Sequence, residues 1–153
     1  KRGLDAQLKW PNDLLINGKK IGGILCETKI ENSKIKTMVI GVGVNVNESI
    51  AEHDKSIQKN LTTMLEVSKH PHQRELIVAE FINSFELWLN TLSVEPNQII
   101  EAWLEKCMHL NERIIFHQNE KILEGVFCGL DDNGFAKIDI DNKIKSFSSI
   151  NLI

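Results

Sequence analysis

The dipeptide Asn17-Gly18 lies between Leu14-Leu15-Ile16 and the apolar run from Ile21 to Ile30, and it constrains this chain more than any other feature. A two-residue hairpin loop matching the twist of its strands needs positive φ at its centre, and Asn-Gly meets that demand at the least steric cost. The chain therefore turns back at 17–18 and the flanking runs pair antiparallel. A polar turn, Glu31-Asn32-Ser33-Lys34, leads to a third apolar run, Lys36–Val46, where Met38, Val39, Ile40, Val42, Val44 and Val46 read as a largely buried strand. A three-stranded antiparallel unit is the expectation up to about Asn47.

The texture then changes. After the polar stretch 47–60, Leu61–Val67 reads as a short helix. Ile77, Phe81, Phe85, Trp88 and Leu92 then recur every three or four residues, which sets them on one face of a helix between Pro71 and Pro96. A second helix is expected from about Asn97 to Cys107, with Ile100, Trp103, Leu104 and Cys107 turned inward. From about Leu110 the pattern returns to short strands, Arg113–His117, Lys121–Leu130, Phe135–Ile140 and Ile144–Phe147, separated by Asn-, Asp- and Gly-rich turns. So many short strands in so little chain suggest a small barrel.

Composition removes several function classes. The 153 residues carry 18 Lys+Arg against 21 Asp+Glu, a formal net charge of −3, so the basic excess of a general nucleic-acid binder is missing. No apolar run reaches the length of a membrane span. The three cysteines, Cys26, Cys107 and Cys128, are odd in number and far apart, which argues against a disulfide framework and for reduced thiols in a cytoplasmic setting. Cys26, on an apolar strand, is expected to pack as a small hydrophobe. The five histidines lack structural-metal spacing, so no metal ligands are assigned.

Three segments concentrate chemistry. In Lys9-Trp10-Pro11-Asn12-Asp13, Pro11 restricts the backbone around it, so an amine, an amide and a carboxylate share one rigid turn. Asn12 and Asp13 could equally satisfy their own backbone while Trp10 joins the core. Next, Lys19-Lys20 precedes Gly22-Gly23 inside a strand, where glycine is costly unless a ligand or a second backbone comes close. Simple alternation puts Lys20 with Gly22 on one face, and Lys19 with Ile21 and Gly23 on the other. An ammonium beside bare backbone suits a carboxylate or phosphate, and a solvated hairpin end stands as the plainer alternative. Third, Gly41-Val42-Gly43-Val44-Asn45 lacks the spacing of either familiar phosphate loop. Its glycines leave room for a flat ligand that Asn45 could hydrogen-bond.

Taken together, Lys9-Trp10-Pro11-Asn12-Asp13-Leu14, Lys19-Lys20-Ile21-Gly22-Gly23-Ile24-Leu25 and Val39-Ile40-Gly41-Val42-Gly43-Val44-Asn45 resemble the biotin protein ligase family in order and spacing. The resemblance implies an α/β (α+β) fold. Its mixed, mostly antiparallel sheet would carry helices, as in class II synthetase-like catalytic domains, over residues 1–107, and an SH3-like barrel would follow over 108–153. It implies activation of biotin by ATP, with Mg2+ accompanying the nucleotide, to biotinyl-5′-AMP, and transfer to a lysine of a biotin carboxyl carrier domain. By position, Lys20 and Lys9 would be the catalytic cations. Lys20, Gly22, Gly23, Asn12, Asp13, Gly43 and Asn45 would bind biotin and adenylate. Gly23 would admit the ligand to the strand, and Asn12 and Asp13 would position ATP, Asp13 also orienting a metal or lysine. A homodimer is a further expectation, while DNA binding and membrane association are not. The family's Gly-Arg-rich biotin loop has no counterpart ahead of Lys9, so the chain is expected to be a ligase fragment, inactive alone, with sheet edges exposed. A non-catalytic binding module of the same fold, or a ligase for lipoate or another acyl acid, are the alternatives.

Overall fold

The computed structural model describes residues 3–152. The chain divides into two compact units. One comprises the chain up to Leu8 together with Asn12–Ile77, and the other comprises Lys9–Pro11 together with the chain from Val78 onward. The Lys-Trp-Pro-Asn-Asp segment is thus shared between them.

In the first unit the hairpin signal is obeyed. Strands β1 (Gln7–Lys9), β2 (Asp13–Ile16), β3 (Lys19–Glu31) and β4 (Lys34–Val44) form a sheet in that order, with β2–β3 and β3–β4 antiparallel. Asn17 and Gly18 take φ of 52° and 73°, and Asn32 and Ser33 do the same at the far turn, with 51° and 60°. Between the strands and the long helix lie a 3-10 turn (Ile50–Glu52) and two short helices, α1 (Lys55–Gln58) and α2 (Met64–Ser68). Ile16, Ile21, Val46 and Met64 form a small core beneath the near end of the sheet, with Leu14, Val67 and Ile77 packed against it.

The far half of the sheet departs from expectation. All eleven residues of β4 are exposed, including Met38 at 50% and Val39 at 58%, and Cys26 is exposed as well. An apolar run shows that a strand suits a covered site, but burial needs a covering layer, and β4 ends the sheet. The same holds for α3 (Arg74–Val94), which forms where periodicity placed it. The residues that periodicity sets on one face, Phe81, Phe85, Trp88 and Leu92, are 40–53% exposed, and no α3 residue is buried.

The second unit has a conventional core. Helix α4 (Pro96–Glu105) starts at proline, whose missing N–H costs nothing at that position. Strands β5 (Arg113–Gln118), β6 (Lys121–Leu130), β7 (Ala136–Ile140), β8 (Lys143–Phe147) and β9 (Asn151–Leu152) form an antiparallel sheet of order β8-β7-β6-β5-β9. Among the described residues no pairing joins β8 to β9. The sheet is therefore open where the sequence suggested a closed barrel. Phe116, Phe127, Ala136 and Ile138 are fully buried, and Trp103, Leu104 and Cys107 pack against them. Trp10 joins this core at 5% exposure, its indole N–H donating to the Gly134 carbonyl at 3.1 Å.

Beside that core lies a buried histidine. His109 is 6% exposed, its ring edge-on to Phe127 with centroids 4.3 Å apart, and its Nε2 has no hydrogen-bond partner. Burial, with a smaller push from the Lys9 charge, lowers its pKa to about 4. Unfolded histidine takes up a proton below about 6.5 and the folded form only near 4. Stability should therefore fall with acidification across that window, by up to about 3 kcal/mol. Urea melts at pH 7 and pH 4.5 should show this loss in the wild type and a clearly smaller one in His109→Phe.

Candidate functional site

The site is built on a fault in the β2–β3 ladder. Leu14 pairs with Gly22 but Leu15 pairs with Lys20, so Ile21 is an extra residue and the strand carries a bulge. A bulge resets alternation. Lys20 consequently lies on the same face as Gly23, opposite to simple strand counting. Its Cε is 3.4 Å from where a Gly23 Cβ would stand. Ile21, on the other face, enters the core at 3% exposure.

Two glycines then do different jobs. A Cβ on Gly22 would stand 2.4 Å from the Gly43 carbonyl oxygen, so this glycine permits β3 and β4 to approach. Gly43, paired with Gly23, has open space where its own Cβ would be. The result is a bare strip of backbone on the Lys20 face. Above it opens a cleft of about 520 Å³, lined among others by Asn12, Lys20, Gly23, Gly43, Asn45 and Leu61.

Each polar group at the cleft has a defined partner. The Lys20 ammonium pairs with Asp13 at 2.5 Å, both side chains part-exposed at 45% and 27%. Asn12 donates through Nδ2 to the Ile24 carbonyl and accepts from the Ile24 N–H at its own carbonyl, which locks the start of β2 onto β3. Asn45 donates through Nδ2 to the Thr62 carbonyl at 3.1 Å. Residues 60–62 run beside Lys20 as a one-residue parallel bridge. Lys20 N–H donates to the Asn60 carbonyl, and Thr62 N–H donates to the Lys20 carbonyl. Leu61 is thereby held over the cleft. Among the described residues no group of three or more His, Cys, Asp or Glu could hold a metal ion.

Of the residues singled out from sequence, Asn12, Lys20, Gly22, Gly23, Gly43 and Asn45 all line this cleft, and Asp13 reaches it through Lys20. Lys9 does not line it and belongs to the second unit, near His109. Sequence reasoning missed Leu61 and Thr62 by extending the short helix over them. The signal was present: Thr63-Met64-Leu65-Glu66 is a capping-box pattern. Thr63 indeed caps α2, accepting from Glu66 N–H, which leaves 61–62 extended.

Comparison with known proteins supplies the context. A family model described as the biotin/lipoate A/B protein ligase family matches residues 1–45, and one for the biotin protein ligase C-terminal domain matches residues 109–149. The chain belongs to the biotin protein ligase family. It is 26% identical to the bifunctional ligase/repressor BirA of Bacillus spizizenii over 98% of this chain and 46% of that protein. It is 31% identical to the biotin–[acetyl-CoA-carboxylase] ligase of Paracoccus denitrificans over 83% of this chain and 54% of that one. The chain thus spans about half the length of the curated relatives it matches. The biotin protein ligase of Aquifex aeolicus, solved in complex with biotin and ATP, shares the fold with a TM-score of 0.80 at 24% identity, over 97% of this chain and 62% of that one.

The two glycines can be told apart by substitution. Gly22→Ala should cost about 1–3 kcal/mol through the clash with the Gly43 carbonyl. Gly43→Ala should leave stability within about 0.5 kcal/mol while narrowing the cleft. Parallel chemical-denaturation curves check both.

Proposed function

We propose that this chain carries the adenylate-handling part of a biotin protein ligase, which joins biotin to ATP and passes it to a lysine of a biotin carboxyl carrier domain. The observation that carries the reading is Lys20, an ammonium held beside a glycine-floored cleft, in the segment that matches the ligase family. In the first step a biotin carboxylate oxygen attacks the α-phosphorus of ATP, the bond to the β-phosphate oxygen breaks, and pyrophosphate leaves with the electron pair. Two anions must meet and charge grows on the α-phosphate, so a fixed cation is the chief requirement, and Lys20 meets it. Mg2+ would enter with the nucleotide. In the second step the carrier lysine amine attacks the acyl carbonyl, the bond to AMP breaks, and the amine gives up a proton as the amide forms.

The glycine strip and Leu61 would hold the flat base, and Asn45, its Nδ2 committed to Thr62, would offer Oδ1 as acceptor. Lys9 is kept as a second cation, and the second sheet is read as the family's SH3-like C-terminal domain over 108–153. The part before it, 1–107, is read as the C-terminal portion of the catalytic domain.

Thermal unfolding with a non-hydrolysable biotinyl-adenylate analogue tests this reading. At about 100 times its dissociation constant a ligand adds ~2.7 kcal/mol, which for a chain this size raises Tm by roughly 5–10 °C. The expected result is a shift in the wild type that is lost in Lys20→Ala. A cooperative melt with no shift would overturn it, and a larger shift with the lipoyl-adenylate analogue would move the assignment to lipoate.

A further inference from the structure

Helix α2 has only five residues, too few to be stable through its own hydrogen bonds. The first backbone N–H groups of any helix also lack a partner within it. In α2 three of them find partners elsewhere. Met64 N–H donates to the Asn45 carbonyl at 3.0 Å, and Leu65 N–H donates to the Val46 carbonyl at 2.9 Å. Glu66 N–H donates to the Thr63 hydroxyl at 3.1 Å. The start of α2 is therefore stapled to the strand end that carries Asn45. Thr63 is fully buried, with φ −128° and ψ 162°, so the chain is extended up to it and helical from the next residue. On the extended side, residues 60–62 form a strap. It bonds the Lys20 backbone twice, at 2.7 Å and 2.9 Å, and its Thr62 carbonyl accepts from Asn45 Nδ2 at 3.1 Å. Leu61 sits between these bonds and lines the cleft, whereas Thr63 does not.

We propose that Thr63 is a positioning residue for the cleft: its hydroxyl ends α2 at Met64 and keeps the strap extended, and the strap in turn fixes the Asn45 amide with Oδ1 left to meet the base. The inference rests on the reading of the cleft as an adenylate site. If α2 grew by a turn toward its N-terminus, Leu61 and Thr62 would take helical backbone angles. Neither the bridge to Lys20 nor the carbonyl that holds Asn45 could then stay in place. The hydroxyl opposes this growth, because a capping side chain reaches its N–H only from a non-helical residue. With Nδ2 committed, Asn45 accepts but does not donate. It therefore favours a base edge that carries an amino group over one that carries a keto oxygen, which would set two acceptors face to face.

Hydrogen exchange tests the coupling without a ligand. In the wild type the amides of Lys20, Thr62 and Glu66 should show protection factors within about threefold of one another, as parts of one opening unit. Thr63→Val keeps the shape and loses the hydroxyl. In it the Lys20 and Thr62 amides should exchange about fivefold faster, the factor that a lost cap is worth. The Ile24 amide, bonded to the Asn12 carbonyl, should hold its rate, and Thr63→Ser should restore the wild-type pattern. A wild type in which Lys20 and Thr62 stay protected more than about tenfold longer than Glu66 overturns the proposal. So does an acceleration in Thr63→Val that is equal at Ile24. If circular dichroism shows Thr63→Val unfolded, the wild-type comparison decides alone.

The second measurement is base choice. The wild type should bind a biotinyl-adenylate analogue about tenfold more tightly than its inosine counterpart, the cost of an acceptor left without a donor. In Thr63→Val the ratio should fall to about two or three, and in Thr63→Ser it should recover. Affinities that fall together with the ratio kept overturn the proposal. A wild type that binds neither analogue removes the ligase reading, and the exchange pattern still judges the strap.

Discussion

The close approach of β3 to β4 at Gly22 is the constraint on which the first unit depends. Only a residue without a side chain can stand there, because the Gly43 carbonyl occupies the position a Cβ would take. That contact fixes the register of the pair, which puts Gly23 opposite Gly43. In the neighbouring β2–β3 ladder the bonds between Asn12 and Ile24 fix one end and the Asn17-Gly18 turn fixes the other, and the residue left over between them is absorbed as the bulge at Ile21. The position of Lys20 follows from this. Its backbone, freed from regular alternation, takes residues 60–62 as a short parallel partner, and its side chain crosses to the cleft face.

The same stitching joins the two ends of the cleft. Thr62 donates its N–H to the Lys20 carbonyl and accepts from the Asn45 amide. Met64 and Leu65 then donate to the carbonyls of Asn45 and Val46. A segment with no regular structure thus ties the cation end of the site to its amide end. The second unit relies instead on aromatic packing around Phe116, Phe127 and Trp10, a core with His109 at its margin and kept neutral by burial.

Local chemistry accounts for what could be read in advance. Both hairpin turns, the long helix and the strands of the second sheet depend on residues a few positions apart, and their limits lie within a few residues of those expected. The cleft residues were legible because glycine is costly in a strand and lysine beside it is chemically pointed. What could not be read had non-local causes. Alternation assigned Lys20 to the wrong face because a bulge results from two fixed ends and not from the residues between them. Burial of β4 and Cys26 was expected from their apolarity and is not found, since covering a face takes a second layer that no pattern along one strand supplies. Asn12 was readable either as a nucleotide-positioning residue or as a turn residue satisfying its own backbone, and in the structure it lines the cleft while its Nδ2 donates across to the Ile24 carbonyl of β3.

By itself the sequence determined where this chain turns, which stretches coil and which extend, and which few residues carry chemistry, because φ preference, periodicity and side-chain type are properties of short segments. The tertiary structure alone decided which side of the sheet Lys20 faces, that Asp13 is its partner, that Gly22 serves packing while Gly43 leaves open space, and that Leu61 closes over the same cleft. Each of these depends on distances between strands and loops that are remote along the chain, and such distances exist only once the register is set.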